Sequence, residues 1–263
     1  MKKYELTQDT LTISSNITLH RIRALIDIDR GNGLPAIKAG DLGGWIESKE
    51  NLSHDGCAWV HDDAQVCGSA RVRDNAQVYG SARVYDSVFV RDGARIYDHA
   101  RVSGLAGVLD HAKIYGNSQI DGRVLLQDSV QVFEDAKVLG QAIICGSALV
   151  HGSVVVNAGA VLTGDADVAR ADHYFVAGPL DHTARRATFF HNSEGGISVK
   201  YGCFIGSVEQ YLDEVSRYER DERFAPVRGY AEVHRQAAAA ATSYIRAADK
   251  LGPLSPFVGK MIF

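Results

Sequence analysis

Residues 76–96 read Ala76-Gln77-Val78-Tyr79-Gly80-Ser81-Ala82-Arg83-Val84-Tyr85-Asp86-Ser87-Val88-Phe89-Val90-Arg91-Asp92-Gly93-Ala94-Arg95-Ile96. An aliphatic residue returns at every sixth position. Two places before it stands Ala or Val, and two places after it stands Gly or Asp. The aliphatic column extends both ways without a break, from Val60 to Val168, over nineteen positions. The residue two places after is Gly, Asp or Glu in all but two cases, Ala158 and Arg170.

A period of six matches neither a helix nor a simple strand. It describes a short strand followed by a corner, repeated. The aliphatic side chain points inward. The small residue, such as Ala64, Ala82 or Ala100, fits the inner side of a corner. Gly and Asp supply turn geometry at low cost. Three strands make one triangular coil of eighteen residues, and coils stack at ~4.8 Å, so the prism is about 30 Å long. A β-sandwich would instead show irregular spacing of roughly 8–12 residues.

This pattern resembles the hexapeptide-repeat superfamily, whose fold is the left-handed parallel β-helix and whose best-known members are trimeric acyltransferases. The chain departs in detail: its Gly/Asp falls two residues after the aliphatic, not one. A closer resemblance rests on Lys38-Ala39-Gly40-Asp41-Leu42-Gly43-Gly44-Trp45-Ile46-Glu47-Ser48, followed by Asn51-Leu52-Ser53 and Ala58-Trp59-Val60. That opening is similar to phage and prophage β-solenoid proteins described as acetyltransferases. The resemblance implies a fold and a phage setting; it assigns no mechanism.

The expected fold is therefore mainly β: a three-sided, left-handed parallel β-helix over 40–172. A small β cap should cover 1–39, and a hairpin with α-helices should fill 173–263. The cap is physically required, because an open solenoid end exposes apolar core and strand edges. Ile46 and Leu52 keep the six-residue spacing into Ala58, so the first coil begins near residue 40. Beyond Val168, Ala187–His191 and Ile197–Tyr201 flank Asn192-Ser193-Glu194-Gly195-Gly196, a hairpin signal. Ser207-Val208-Glu209-Gln210 is a capping-box pattern before a helix. A second helix is expected over about 230–250, stopped by Gly252-Pro253, and the tail 254–263 is apolar enough to dock. The stretch Phe189-Phe190…Gly202-Cys203-Phe204…Gly206-Ser207 resembles a C-terminal module found on phage proteins.

Composition narrows the function classes. Net charge is −4, so no basic field argues for nucleic acid. No apolar run approaches a membrane span, and Met1–Thr10 lacks the apolar segment of a signal peptide. Four scattered cysteines, Cys57, Cys67, Cys145 and Cys203, fit a reducing compartment and match no zinc spacing. The expected location is cytoplasmic, with no metal.

Residues flanking each inward aliphatic point outward, and positions eighteen apart stack in columns. One column holds His61, Tyr79, Tyr97, Tyr115, Phe133 and His151, beside Arg95 and Lys113. It is either a structural ladder, a surface for a planar or anionic ligand using stacking and cation–π contacts, or a protein interface. A second face carries Arg83 and Arg101. A third carries Phe89, Leu125, Ile143 and Val161, with Leu109 in the neighbouring column. An apolar face of that length calls for cover, by the chain's own helices or by another protomer.

The superfamily's enzymes use a histidine as general base and bind acyl-CoA between protomers. His99 and His111 stand at corner positions and are the candidates if this chain is an acetyltransferase. No Asp or Glu is placed by sequence to orient either ring, and no loop interrupts the hexads. The Asp residues at 62, 63, 74, 86, 92, 98, 110 and 128 sit at or beside the turn position and read as corner formers. Two function classes remain. The first is a non-enzymatic phage-type binding protein without a cofactor, a homo-oligomer, with a trimer expected as in the superfamily, that engages a host protein or small ligand. The second is an acetyl-CoA-dependent acetyltransferase.

Overall fold

The computed structural model describes residues 2–14, 16–30, 35–220 and 229–251. The chain forms two compact units, 1–165 and 166–263. The first is a three-sided parallel β-solenoid. Its short strands pair in register eighteen residues apart: Val78 with Ile96, Val84 with Val102, Val90 with Val108. The aliphatic and small columns are almost completely buried along their whole length, from Ala58 and Val60 to Leu162. Backbone bonds link successive coils, as in Gln77 N–H to Ala94 O (2.9 Å) and Arg95 N–H to Ala112 O (2.9 Å).

The corners explain the Gly/Asp column. Asp62, Asp74, Asp86, Asp92, Asp98, Asp110, Asp128 and Glu134 all have φ between +51° and +62°. Asp tolerates this left-handed region better than most residues. Each carboxylate also accepts a bond from the corner of the next coil. Gly80 N–H donates to Asp62 (3.0 Å), Gly104 N–H to Asp86 (3.0 Å), Asp128 N–H to Asp110 (3.0 Å) and Gly152 N–H to Glu134 (2.7 Å). The acidic residues thus tie coil to coil, as corner formers should. Among the described residues no cluster of His, Cys, Asp or Glu could hold a metal ion.

The N-terminal segment, expected as a cap over 1–39, belongs to the same compact unit as the coils. Tyr4–Ser14 and Ile17–Ala24 form an antiparallel hairpin, and the second strand pairs antiparallel with Leu42–Ile46. Leu42–Ile46 then pairs in parallel with the solenoid, Ile46 against Val66, so the first coil does start near residue 40. The start of the first strand plugs the prism. Tyr4 is buried, stacks on His54 at 4.4 Å, and donates its hydroxyl to Leu52 O at 2.9 Å. The buried Lys3 ammonium donates to Ala58 O at 2.9 Å, and burial pulls its pKa down to about 8. Asn51 Nδ2 bridges Gly68 O (3.0 Å) and Ala70 O (2.9 Å), closing the first turn.

The second unit begins earlier than the expected residue 173. Asp167–Val168 packs beside Ala187–His191, and Ala166 bridges Asn192. The expected hairpin is the middle of a four-stranded antiparallel sheet: Tyr174–Ala177, Ala187–His191, Ile197–Tyr201 and Phe204–Ser207. Ser207 caps helix α1 (Val208–Arg220) as anticipated: Gln210 N–H donates to Ser207 Oγ (3.2 Å), and the Gln210 side chain takes Ser207 N–H (2.9 Å). Helix α2 spans Ala231–Leu251. Phe189, Val199, Tyr211, Val215, Ala238, Ala241 and Ile245 share one core. The Gly252-Pro253 stop and the apolar tail lie outside the described residues. No helix of the described residues is long and apolar enough to cross a membrane.

Candidate functional site

On the first face the aromatic column is real. Tyr79, Tyr97, Tyr115, Phe133 and His151 stack with centroids 4.7, 4.9, 5.0 and 4.9 Å apart and planes within 4° of parallel. Rung spacing forces this: the strands beneath them are in register and each ring sits on the next. Desolvation raises the pKa of Tyr79, Tyr97 and Tyr115 above the usual phenol value.

The geometry removes one use of the column. A planar ligand between two rings needs two van der Waals contacts of ~3.5 Å, about 7 Å in total. The rings are at most 5.0 Å apart, and the backbone ladder holds them there. Among the described residues no cation covers a ring face of this column. The described cation–π contacts are Arg21 over Trp45 and Arg185 over Tyr201, so Arg95 and Lys113 make none. What remains open to a partner is the ladder's edge and its head.

At the head His61 breaks rank. Its ring stands at 90° to Tyr79, with centroids 6.5 Å apart. One bond turns it: Nε2–H donates to Gln77 Oε1 at 2.9 Å, and the Arg30 Nη1 cation stands 3.2 Å from the same nitrogen. Burial lowers the His61 pKa, the bond to Gln77 opposes this, and the Arg30 charge adds to it. Gln77 is buried and fully engaged, its Nε2 donating to Cys57 O (2.9 Å) and Asn75 O (3.2 Å). His61, Tyr79 and Arg95 do meet, around a recess of about 240 Å³ completed by Arg30, Asp62 and Gln77. Tyr97, Lys113, Tyr115, Phe133 and His151 lie along the column beyond it.

His99 and His111 are both exposed at corners, and among the described residues no side-chain hydrogen bond orients either ring. A histidine hydrogen-bonded to a carboxylate lies in the second unit. His191 Nε2 lies 3.0 Å from Asp249 Oδ1, with the His173 ring 4.7 Å away. Fifty-eight residues separate the pair, and only the packing of α2 on the sheet unites them, so no sequence spacing signals it. In the same unit Asp181 is buried and accepts from Thr183, Tyr201 and Arg185. Desolvation disfavours its charge, but these bonds outweigh it and hold the carboxyl well below its ordinary pKa. Tyr211 bonds the buried His234, whose pKa desolvation lowers. These satisfied groups hold the module together.

On the third face Phe89, Gly107, Leu125, Ile143 and Val161 follow one another in register. Phe89 is 49% exposed and Ile143 39% exposed, while Leu109, Leu125 and Val161 are half-buried. Leu125 Cδ1 leans into the space above Gly107, 3.2 Å from where a Cβ would stand. The stripe therefore continues past the one position that lacks a side chain.

No known protein-family model matches the chain. No curated protein matches it at a significant level.

Proposed function

We propose that this chain is a non-enzymatic binding protein of the phage β-solenoid type, which assembles with copies of itself through its third face. The carrying observation is the apolar stripe of Phe89, Leu125, Ile143 and Val161, in register over several coils with Gly107 between the first two, in which Phe89 and Ile143 are exposed and the others half-buried. Isolated exposed apolar residues need no explanation, but a continuous file of them marks an interaction surface. A trimer is the closed assembly that the resemblance to the hexapeptide-repeat superfamily favours. The remaining faces, including the recess of Arg30, His61 and Arg95, would stay free for a host protein or small ligand.

Sedimentation of the purified chain at tens of micromolar tests the assembly. An oligomer is expected; a single 28.5 kDa species would overturn it. Calorimetric titration with acetyl-CoA tests the non-enzymatic part. No heat is expected at high micromolar ligand. Clear binding, with turnover lost in His99→Ala or His111→Ala, would replace this reading with an acetyltransferase.

A further inference from the structure

We infer that the second face carries a binding site for an amphipathic anion, in the cleft between the tip of the N-terminal hairpin and the Arg83–Arg101 pair. The cleft measures about 690 Å³, within the range of small-ligand sites. One wall is apolar: Leu11, Ile13 and Ile17 come from the hairpin, whose strands run Tyr4–Ser14 and Ile17–Ala24. The floor is the solenoid face, with Gln65, Arg83, Tyr85 and Arg101.

Two features of this cleft are unexplained by folding alone. Arg83 and Arg101 are directly paired on adjacent parallel strands, and both side chains are exposed. Like charges placed opposite one another destabilise a sheet. Among the described residues neither guanidinium has a hydrogen-bonded acidic partner. Asp86, the nearest carboxylate in the lining, spends one oxygen on Gly104 N–H at 3.0 Å. An anion held between the two forks would relieve the repulsion and engage the planar donors that carboxylates and phosphates fit. Opposite them the hairpin turns three branched aliphatic side chains to the cleft, with Ile13 42% exposed. A wholly hydrophilic ion would leave that wall wet, and a wholly apolar molecule would leave the arginines facing each other. Charge complementarity below and apolar surface above together select a molecule with an anionic head and an apolar body.

The site is separate from the third face, so its failure would leave the assembly reading untouched. The test is calorimetric titration of the full chain with decanoate and decyl phosphate, each below its micelle-forming concentration. Decanol and inorganic phosphate serve as head-less and tail-less controls. At least one amphiphile is expected to bind one per chain, at least tenfold tighter than either control, and to weaken as salt rises. The two heads distinguish a carboxylate from a phosphate ligand. Arg83→Gln/Arg101→Gln should lose at least tenfold, and Ile13→Ser severalfold, with the fold retained: the unfolding temperature of the ligand-free arginine variant should rise, because the like-charge pair is gone, and that of Ile13→Ser should stay put, because its side chain is exposed. Absence of binding by both amphiphiles, equal binding of decanol, or an unaltered affinity in Arg83→Gln/Arg101→Gln would overturn the proposal. So would a change in sedimenting mass on Ile13→Ser with no amphiphile bound, since the hairpin tip would then be a subunit contact.

Discussion

At the residue scale, the small column has one member that does not belong. Ser118 occupies an alanine position, is fully buried, and its Oγ has no hydrogen-bond partner among the described residues. A buried hydroxyl without a partner costs on the order of 1–3 kcal/mol. Ser118→Ala is therefore expected to stabilise the fold by ~1 kcal/mol, seen as a rise of roughly 2–4 °C in Tm. An unchanged or lower Tm would mean that the hydroxyl is satisfied. The corner glycines differ among themselves in a way that can also be measured. Gly122 and Gly140 both have positive φ, +100° and +76°. A Cβ at Gly122 would meet Gly140 O at 2.5 Å, whereas at Gly140 it would meet nothing within 4 Å. Gly140→Ala should cost only the left-handed penalty, about 1–2 kcal/mol. Gly122→Ala should cost clearly more in the same denaturant titration, and equal costs would contradict the corner geometry. That a Gly or Asp belongs at each corner was legible from spacing alone. That each Asp reaches forward to the next coil was not, because the bond depends on the stacking of residues eighteen apart.

At the element scale, the aromatic column and the apolar stripe were both legible, since a fixed period of eighteen assigns every outward residue to a column. The turned ring of His61 was not. It is set by the buried amide of Gln77, beside Arg30, which lies outside the repeat. The outer strands of the C-terminal sheet, Tyr174–Ala177 and Phe204–Ser207, are four residues each, too short for their alternation to stand out. The ladder makes a prediction in pH. Desolvation, reinforced by Tyr79 and Tyr115, raises the Tyr97 pKa from 10.0 to about 12. The fold thus favours the neutral phenol. That preference contributes stability fully below pH 10, and it is lost as the pH rises through about 12. Tyr97→Phe keeps the stacked ring and removes the ionisation. Its Tm should fall less steeply than wild type between pH 10 and 12, and parallel curves would show that Tyr97 does not titrate in that window.

At the scale of the whole molecule, the two units stand in different relations to the sequence. The solenoid repeats one local solution, so its fold, register and core could be written down before its shape was known. The second unit has no repeat, and it takes in residues from 166 because Ala166 bridges Asn192 and Asp167–Val168 packs beside Ala187–His191, contacts that only tertiary packing makes. The assembly proposed for the solenoid rests on what its regular interior leaves outside. Burying the third-face stripe would contribute roughly 25 cal/mol per Å² of apolar surface before the costs of association. A charge in the centre of that stripe should cancel this without touching the core, because Leu125 and Ile143 point away from the buried Leu126 and Ile144. Light scattering on the wild type and on Leu125→Glu/Ile143→Glu, at tens of micromolar, tests the assembly most directly. An oligomer that falls to a folded monomer in the double variant is the predicted result. A monomeric wild type, or an oligomer indifferent to the two charges, would contradict it.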